Sequence, residues 1–425
     1  MSRKHLLLPI LALAIVSCNS LPRVLISTDI GGTDPDDNQS MTHLLMYSDR
    51  IALEGLVSTP SYGDGSASEI LRMTDLYEQD FPTLKDAFPG LMTPDALRSI
   101  TKQGRHGMPS WKGFSEPTEG SEWIIECARK PSRKPLWVLV WGGLEDLAQA
   151  LHDAPDIKNN IKVYWIGGPN KKWGNAAYAY IVRNFPDLWI IENNASYRGF
   201  IGDKNVPGHY QSSYYADCIK GAGELGKDFI NYLGGNLKMG DTPSLLYMMD
   251  GNPDDPEGVS WGGSFERMSL SPISIFHRDL NVCDTIPEYS ILEVFYEGPD
   301  IDCPEDSPCF SVTIDKQVWP GYRTGPGEFA FRYSPKRPDT LEYAISSEML
   351  PWLDGRTGHF VASVAWPDAE RSNAPVSVGP NWFTDRSDPE LFTDDLQGYK
   401  TVSEWRNAVL DDWAARWDVL RKKAK

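Results

Sequence analysis

The chain has 425 residues, with 59 acidic against 41 basic and a formal net charge of −18. That balance argues against nucleic acid as a partner and suits a metal ion or a neutral or cationic ligand. Beyond the first residues no stretch is apolar enough to cross a membrane, and about 400 residues remain for a large domain plus a smaller one.

Arg3 and Lys4 precede Leu6 to Val16, an apolar run too short for a bilayer and suited to a signal-peptide core. The run ends at Ile15-Val16-Ser17-Cys18, which resembles a bacterial lipobox. Residues 1–18 therefore read as a lipoprotein signal peptide, with Cys18 as the lipidated first residue; cleavage of a soluble exported chain is the alternative. Asn19 in place of an aspartate points to the outer membrane. The expected location is the cell envelope, outside the cytoplasm, with the lipid anchor as the membrane contact.

Strand and helix signals then alternate. Residues 23–28 form a short apolar strand that ends in an acidic loop, and 39–47 has helical spacing in Met41, Leu44 and Leu45. Residues 53–58 read as strand and 68–81 as helix. Leu136 to Trp141 is continuously apolar, as in a strand covered on both faces, and Gly142-Gly143 breaks it before a helix over 144–151. Strands follow at 162–166 and 188–191. This repetition predicts an α/β fold, a mostly parallel sheet flanked by helices, over residues 23–270. Ligands in such sheets sit beyond the carboxyl ends of the strands.

Composition changes near residue 270. Alternating runs at 290–296, 309–314, 329–333 and 360–364 predict a β-rich, sandwich-like region over 271–395. Residues 400–425 return to helix, where Trp405, Val409, Trp413, Trp417 and Leu420 form one packing face on the α/β domain. Cys303 and Cys309 bracket a turn-rich loop and are candidates for a disulfide. The 15 Trp and 18 Tyr suit either sugar stacking or a large core.

Four carboxylates stand within nine residues after the first strand: Asp29, Asp34, Asp36 and Asp37. Clustered carboxylates repel unless a cation holds them, and hard oxygen ligands favour calcium or magnesium. The segments Ser27-Thr28-Asp29-Ile30-Gly31-Gly32, Asp34-Pro35-Asp36-Asp37 and Lys238-Met239-Gly240-Asp241-Thr242-Pro243-Ser244 resemble the nucleoside hydrolase superfamily. They are closest to its exported branch of cellulose-binding, nucleoside-hydrolase-like proteins, and the likeness runs from about residue 23 to 265 with the terminal helix added.

The resemblance implies a calcium site made by Asp29, Asp37, Asp241 and the backbone carbonyl of Glu145. It further implies Asp29 as the base on the attacking water. Asp36, Glu192 and Asn194 would hold sugar hydroxyls. Two departures stand out: Ser27 replaces the motif's first Asp, and three extra residues lengthen the loop before Asp36. The His that precedes the last Asp in well-known members is Gly240 here, which leaves His209 as a candidate acid, with His43, Asp254, Asp255 and Glu257 as others. Trp173 is a candidate stacking surface. Three functions fit: a nucleoside hydrolase, a glycosidase acting on furanose-like or other sugars of an oligosaccharide, and a carbohydrate-binding protein with a retained calcium site.

Overall fold

The computed structural model describes residues 21–107, 110–366 and 372–423. The signal peptide and Cys18 lie outside the described residues.

Six parallel strands build most of the main sheet: β1 (Arg23–Thr28), β2 (Ala52–Ser58), β3 (Thr101–Gln103), β4 (Leu136–Val140), β5 (Ile161–Ile166) and β6 (Ile190–Asn193). Their order is β3-β2-β1-β4-β5-β6, followed by Trp382–Asp385 and Phe265–Arg267. All residues of β1 and β4 are buried, because helices cover both faces. Alternate residues feed two cores. Val24, Ile26, Trp137 and Leu139 enter one, while Leu25, Leu136, Val138 and Val140 enter the other. The order reverses between β1 and β4, which pair in register with Ser27 opposite Val140. The crevice for a ligand opens above that point.

The β-rich region is a second eight-stranded sheet. Its central hairpin, Pro308–Ile314 with Gln317–Gly325, turns on Asp315 and Lys316 at φ 49° and 60°, the geometry that matches strand twist in a two-residue turn. Arg183 of the α/β domain pairs with Glu293 of this sheet at 2.8 Å, and Lys172 with Asp315 at 3.1 Å.

Three expectations are corrected. Trp382–Asp385, anticipated within the β-rich region, pairs with β6 in the main sheet, because its apolar Trp382 and Phe383 complete both cores of that sheet. The terminal helix breaks into Lys400–Ser403 and Arg406–Lys423. At the break Arg406 is drawn inward by the carbonyls of Phe200 and Tyr210 and by Gln211 Oε1. Cys303 and Cys309 are free, buried thiols; Cys309 packs among the apolar side chains of the second sheet, where burial pushes its thiol up to about 12.

Trp413 and Trp417 of the terminal helix are fully buried in the same core as Tyr47 and Phe229. No helix among the described residues is long and apolar enough to cross a membrane.

Candidate functional site

The carboxylates gather because the end of β1 and the starts of two helices meet. Asp29 immediately follows β1. Asp36 and Asp37 form the first turn of a helix, Asp36–Met46, whose other residues are all buried. Asp241 stands just before the helix Thr242–Met249. Both helix starts present unpaired N–H groups and the positive end of the dipole, which favours carboxylates there. Thr28 locks the loop: its hydroxyl donates to Asp37 Oδ1 and accepts from the Ile30 amide at 3.2 Å.

Carboxylate oxygens of Asp36, Asp37 and Asp241 lie within 4.8 Å of one another. Across the crevice, a Cβ on Gly142 would stand 2.8 Å from Asp29 Cβ, so the turn after β4 needs glycine to pass this close. The cluster floors a cavity of about 580 Å³ whose walls include Tyr62, Trp173, Tyr197 and Lys238. That volume is in the range of small-molecule sites. Tyr62 and Trp173 pack against each other with ring centroids 5.1 Å apart.

Burial dominates the electrostatics. It raises Asp29 to about 6, against hydrogen bonds to Asp37 and Ser61 that pull the other way. It raises Asp36 to about 7, with the Lys238 ammonium opposing and Asp34 adding repulsion. Asp37 and Asp241 stand well above the usual carboxylate range, first through burial and then through their charged neighbours. Asp34 ends below its ordinary value: burial works against it, but the hydrogen bond with Asp36 and the Lys238 ammonium outweigh that. One oxygen, Asp241 Oδ2, is buried with no hydrogen-bond partner. An orphaned buried acceptor among repelling carboxylates is costly unless a proton or a cation satisfies it. A set of hard oxygens with one unsatisfied fits calcium or magnesium.

A family described as "Cellulose-binding Sde182, nucleoside hydrolase-like domain" matches residues 23–265, more than half of the chain. The chain belongs to this family. Among solved structures, it is similar to a nucleoside hydrolase-related protein of Saccharophagus degradans associated with carbohydrate metabolism. The two are 18% identical over 81% of this chain and 100% of that one, with a TM-score of 0.50, a likeness of fold. It is also similar to the inosine-uridine preferring nucleoside hydrolase of Bacillus anthracis, at 14% identity over 81% and 95% of the two chains, TM-score 0.38. The purine-preferring ribonucleoside hydrolase of Gardnerella vaginalis is 11% identical over 94% and 99%, TM-score 0.39. No curated protein matches significantly.

Within this nucleoside-hydrolase-like frame the expected residues separate into two groups. Asp29, Asp36, Asp37, Asp241 and Trp173 line one cavity. Glu192 and Asn194 do not line it. Glu192 is wholly buried and paired with Lys171 at 2.8 Å. Asn194 Oδ1 accepts from the Gly168 amide at 2.9 Å and so props the turn after β5; Gly168, at φ +43°, passes so close to the Asn194 carbonyl that a Cβ would be 2.3 Å from it. Both residues line a neighbouring cavity instead.

His209 is a correction. It is an exposed loop residue bonded to Asp217 at 2.9 Å, remote from the carboxylates because its segment packs beside the terminal helix. Asp254 pairs with Lys162 at 2.6 Å and also lies outside the cavity. His43 is buried against Tyr47 and Trp413, where burial holds it neutral with a pKa of about 3. Glu145 opens the helix Glu145–Asp153, so its carbonyl runs along the helix axis. Burial raises its carboxyl to about 8, with the Asp146 and Asp29 charges adding to the rise, and its Oε2 has no hydrogen-bond partner. At Gly240 a Cβ would sit 2.7 Å from Asp36 Oδ2, so a histidine there would crowd the cluster.

Arg198, which the sequence offered as a residue able to bind a negative group, lines the cavity, and so do Lys238, Lys336 and Gln317, which were not singled out from sequence. Lys238 had a signal, standing three residues before Asp241. Gln317 and Lys336 had none, since they arrive from the second sheet.

Proposed function

We propose that the chain is a calcium-dependent hydrolase of an N- or O-glycosidic bond of a furanose-like sugar. The observation that carries this reading is the convergence of Asp29, Asp36, Asp37 and Asp241 on one cavity, with Asp241 Oδ2 buried and unpartnered. Asp29, Asp37 and Asp241 would hold calcium, which would supply a Lewis acid for the sugar hydroxyls and for the attacking water. Asp29, beside that water, would accept its proton. Asp36 accepts a hydrogen bond from a sugar hydroxyl. Trp173 and Tyr62 offer a stacking wall for the sugar or its leaving group. Together these residues fix the sugar against the attacking oxygen.

The test is release of reducing sugar from a panel of nucleosides and oligosaccharides by residues 19–425 with calcium. Release abolished by a chelator and by Asp29→Asn supports the hydrolase. A second reading is a carbohydrate-binding protein with a retained cation site. It is favoured by the position of His209 and by the bare Gly240, which leave no histidine among the described residues of the cavity wall. Calcium binding with no release across the panel would overturn the first reading in favour of the second. The lipobox supports a further part of the proposal, anchoring through Cys18 in the cell envelope. Labelling by radioactive palmitate, lost in Cys18→Ser, checks it.

A further inference from the structure

The carboxylate cavity does not end at its own walls. Pro169, Arg198 and Lys336 line it and also line an adjoining cavity of about 470 Å³. That second cavity shares Glu288, Tyr289 and Asp395 with a third of about 250 Å³, which reaches the end of β6. The three make one cleft along the join of the two sheets.

Its middle carries two cations outside any ion pair among the described residues, Arg198 and Lys336, on a wall they share with Arg337, Glu288, Asp394 and Asp395. Arg198 is half-buried and donates from Nε to the Tyr197 hydroxyl at 3.3 Å. Lys336 Nζ stands 5.2 Å from the centroid of the Trp173 ring. Among the described residues neither has a carboxylate within ion-pair distance, although the chain has 59 acidic side chains and most of its arginines are paired. A guanidinium and an ammonium that face a cleft outside any ion pair keep donors free for an oxyanion of the ligand. Glu288 lines the same cavity and acts on Arg198 through space without an ion pair, and burial raises its own carboxyl to about 7.

We propose that the cleft takes an oligosaccharide, one sugar over the carboxylate cluster and the next carrying an oxyanion held by Arg198 and Lys336. The oxyanion is a uronate carboxylate or a sulfate ester. This rests on the reading of the cluster as a sugar site, and it selects an acidic polysaccharide fragment over a free nucleoside. A planar guanidinium matches either oxyanion by two parallel hydrogen bonds, and the lysine adds a mobile charge.

Three oligosaccharides, each ending in an arabinofuranose on one tetrasaccharide backbone, test it by calorimetry with the chain from residue 19, at fixed calcium: capped cellotetraose, its β-1,4-linked tetraglucuronate counterpart, and its O-sulfated counterpart. At least one anionic chain is expected to bind about tenfold or more tighter than capped cellotetraose. Arg198→Gln and Lys336→Gln should each remove most of that preference while leaving calcium affinity unchanged. Preference for the uronate or for the sulfate identifies the source of the oxyanion. Equal affinity for all three, binding of none, or a preference that survives both substitutions overturns the inference. Release of reducing sugar is scored separately. Cleavage of neutral chains alone sinks this inference and keeps the hydrolase; tight binding of an anionic chain through Arg198 without cleavage does the reverse.

Discussion

The Lys171 ammonium lies 2.8 Å from the Glu192 carboxylate, with 2% and 0% of the two side chains exposed. The Trp382 indole donates to the other Glu192 oxygen at 3.0 Å. A carboxylate engaged this way at the end of β6 fastens the returning strand Trp382–Asp385 to the sheet, with no oxygen turned to the carboxylate cavity.

Glu192→Gln therefore acts on stability. Removing one partner of a buried pair leaves the Lys171 charge uncompensated, at a cost of about 3–5 kcal/mol. Urea unfolding should show that loss, while calorimetry finds calcium affinity unchanged. Lost sugar affinity at full stability would instead make Glu192 a ligand contact.

Asp241→Asn should weaken calcium binding at least about tenfold, because the site loses a charged oxygen. The same substitution should raise the melting temperature of the metal-free protein, since it removes a buried charge that repels Asp36 and Asp29. Calorimetry and thermal unfolding with a chelator read the two effects. A lower metal-free melting temperature would count against repulsion in the cluster.

The pH dependence has a definite sign. Asp29 and Asp36 are raised to about 6 and about 7, so between pH ~4 and those values the folded state holds more protons than the unfolded chain. Their contribution to stability is complete below pH ~4 and is lost as pH rises through 6 to 7. Metal-free protein should lose stability over that window, and calcium, competing with the protons, should restore more at pH 8 than at pH 5. Thermal melts with and without calcium at the two pH values check this; equal calcium shifts would contradict it.

His209→Ala should leave hydrolysis, calcium affinity and stability within about 0.5 kcal/mol of the parent, as for other exposed ion pairs. A tenfold fall in kcat would reinstate His209 as an acid and require its loop to move.

Much of the α/β half was legible in the chain itself. Continuous apolar runs such as Leu136 to Val140, short and bounded by a glycine pair, read as strands covered on both faces, and Gly142-Gly143 marked where the turn opens. The cluster was legible for the same local reason: Asp29, Asp36 and Asp37 are close in sequence, and a turn between a strand and a helix must bring them together. Asp241 was reached through its resemblance to a motif. Glu192 and Asn194 came by the same route, and the fold sets both outside the carboxylate cavity, on the adjoining one, since a motif carries residue types and not the direction of a side chain.

Strand Trp382–Asp385 pairs with β6 across some 190 residues, and no local period records that choice. Arg198 and Lys336 meet over the same cavity because one sheet is packed against the other. Local spacing thus determined the strands, the helix starts and the acidic loop, whose forces act within a few residues. Burial, ion pairing and the cleft between the sheets depend on contacts distant in sequence, and folding alone decides which charges are left facing one another.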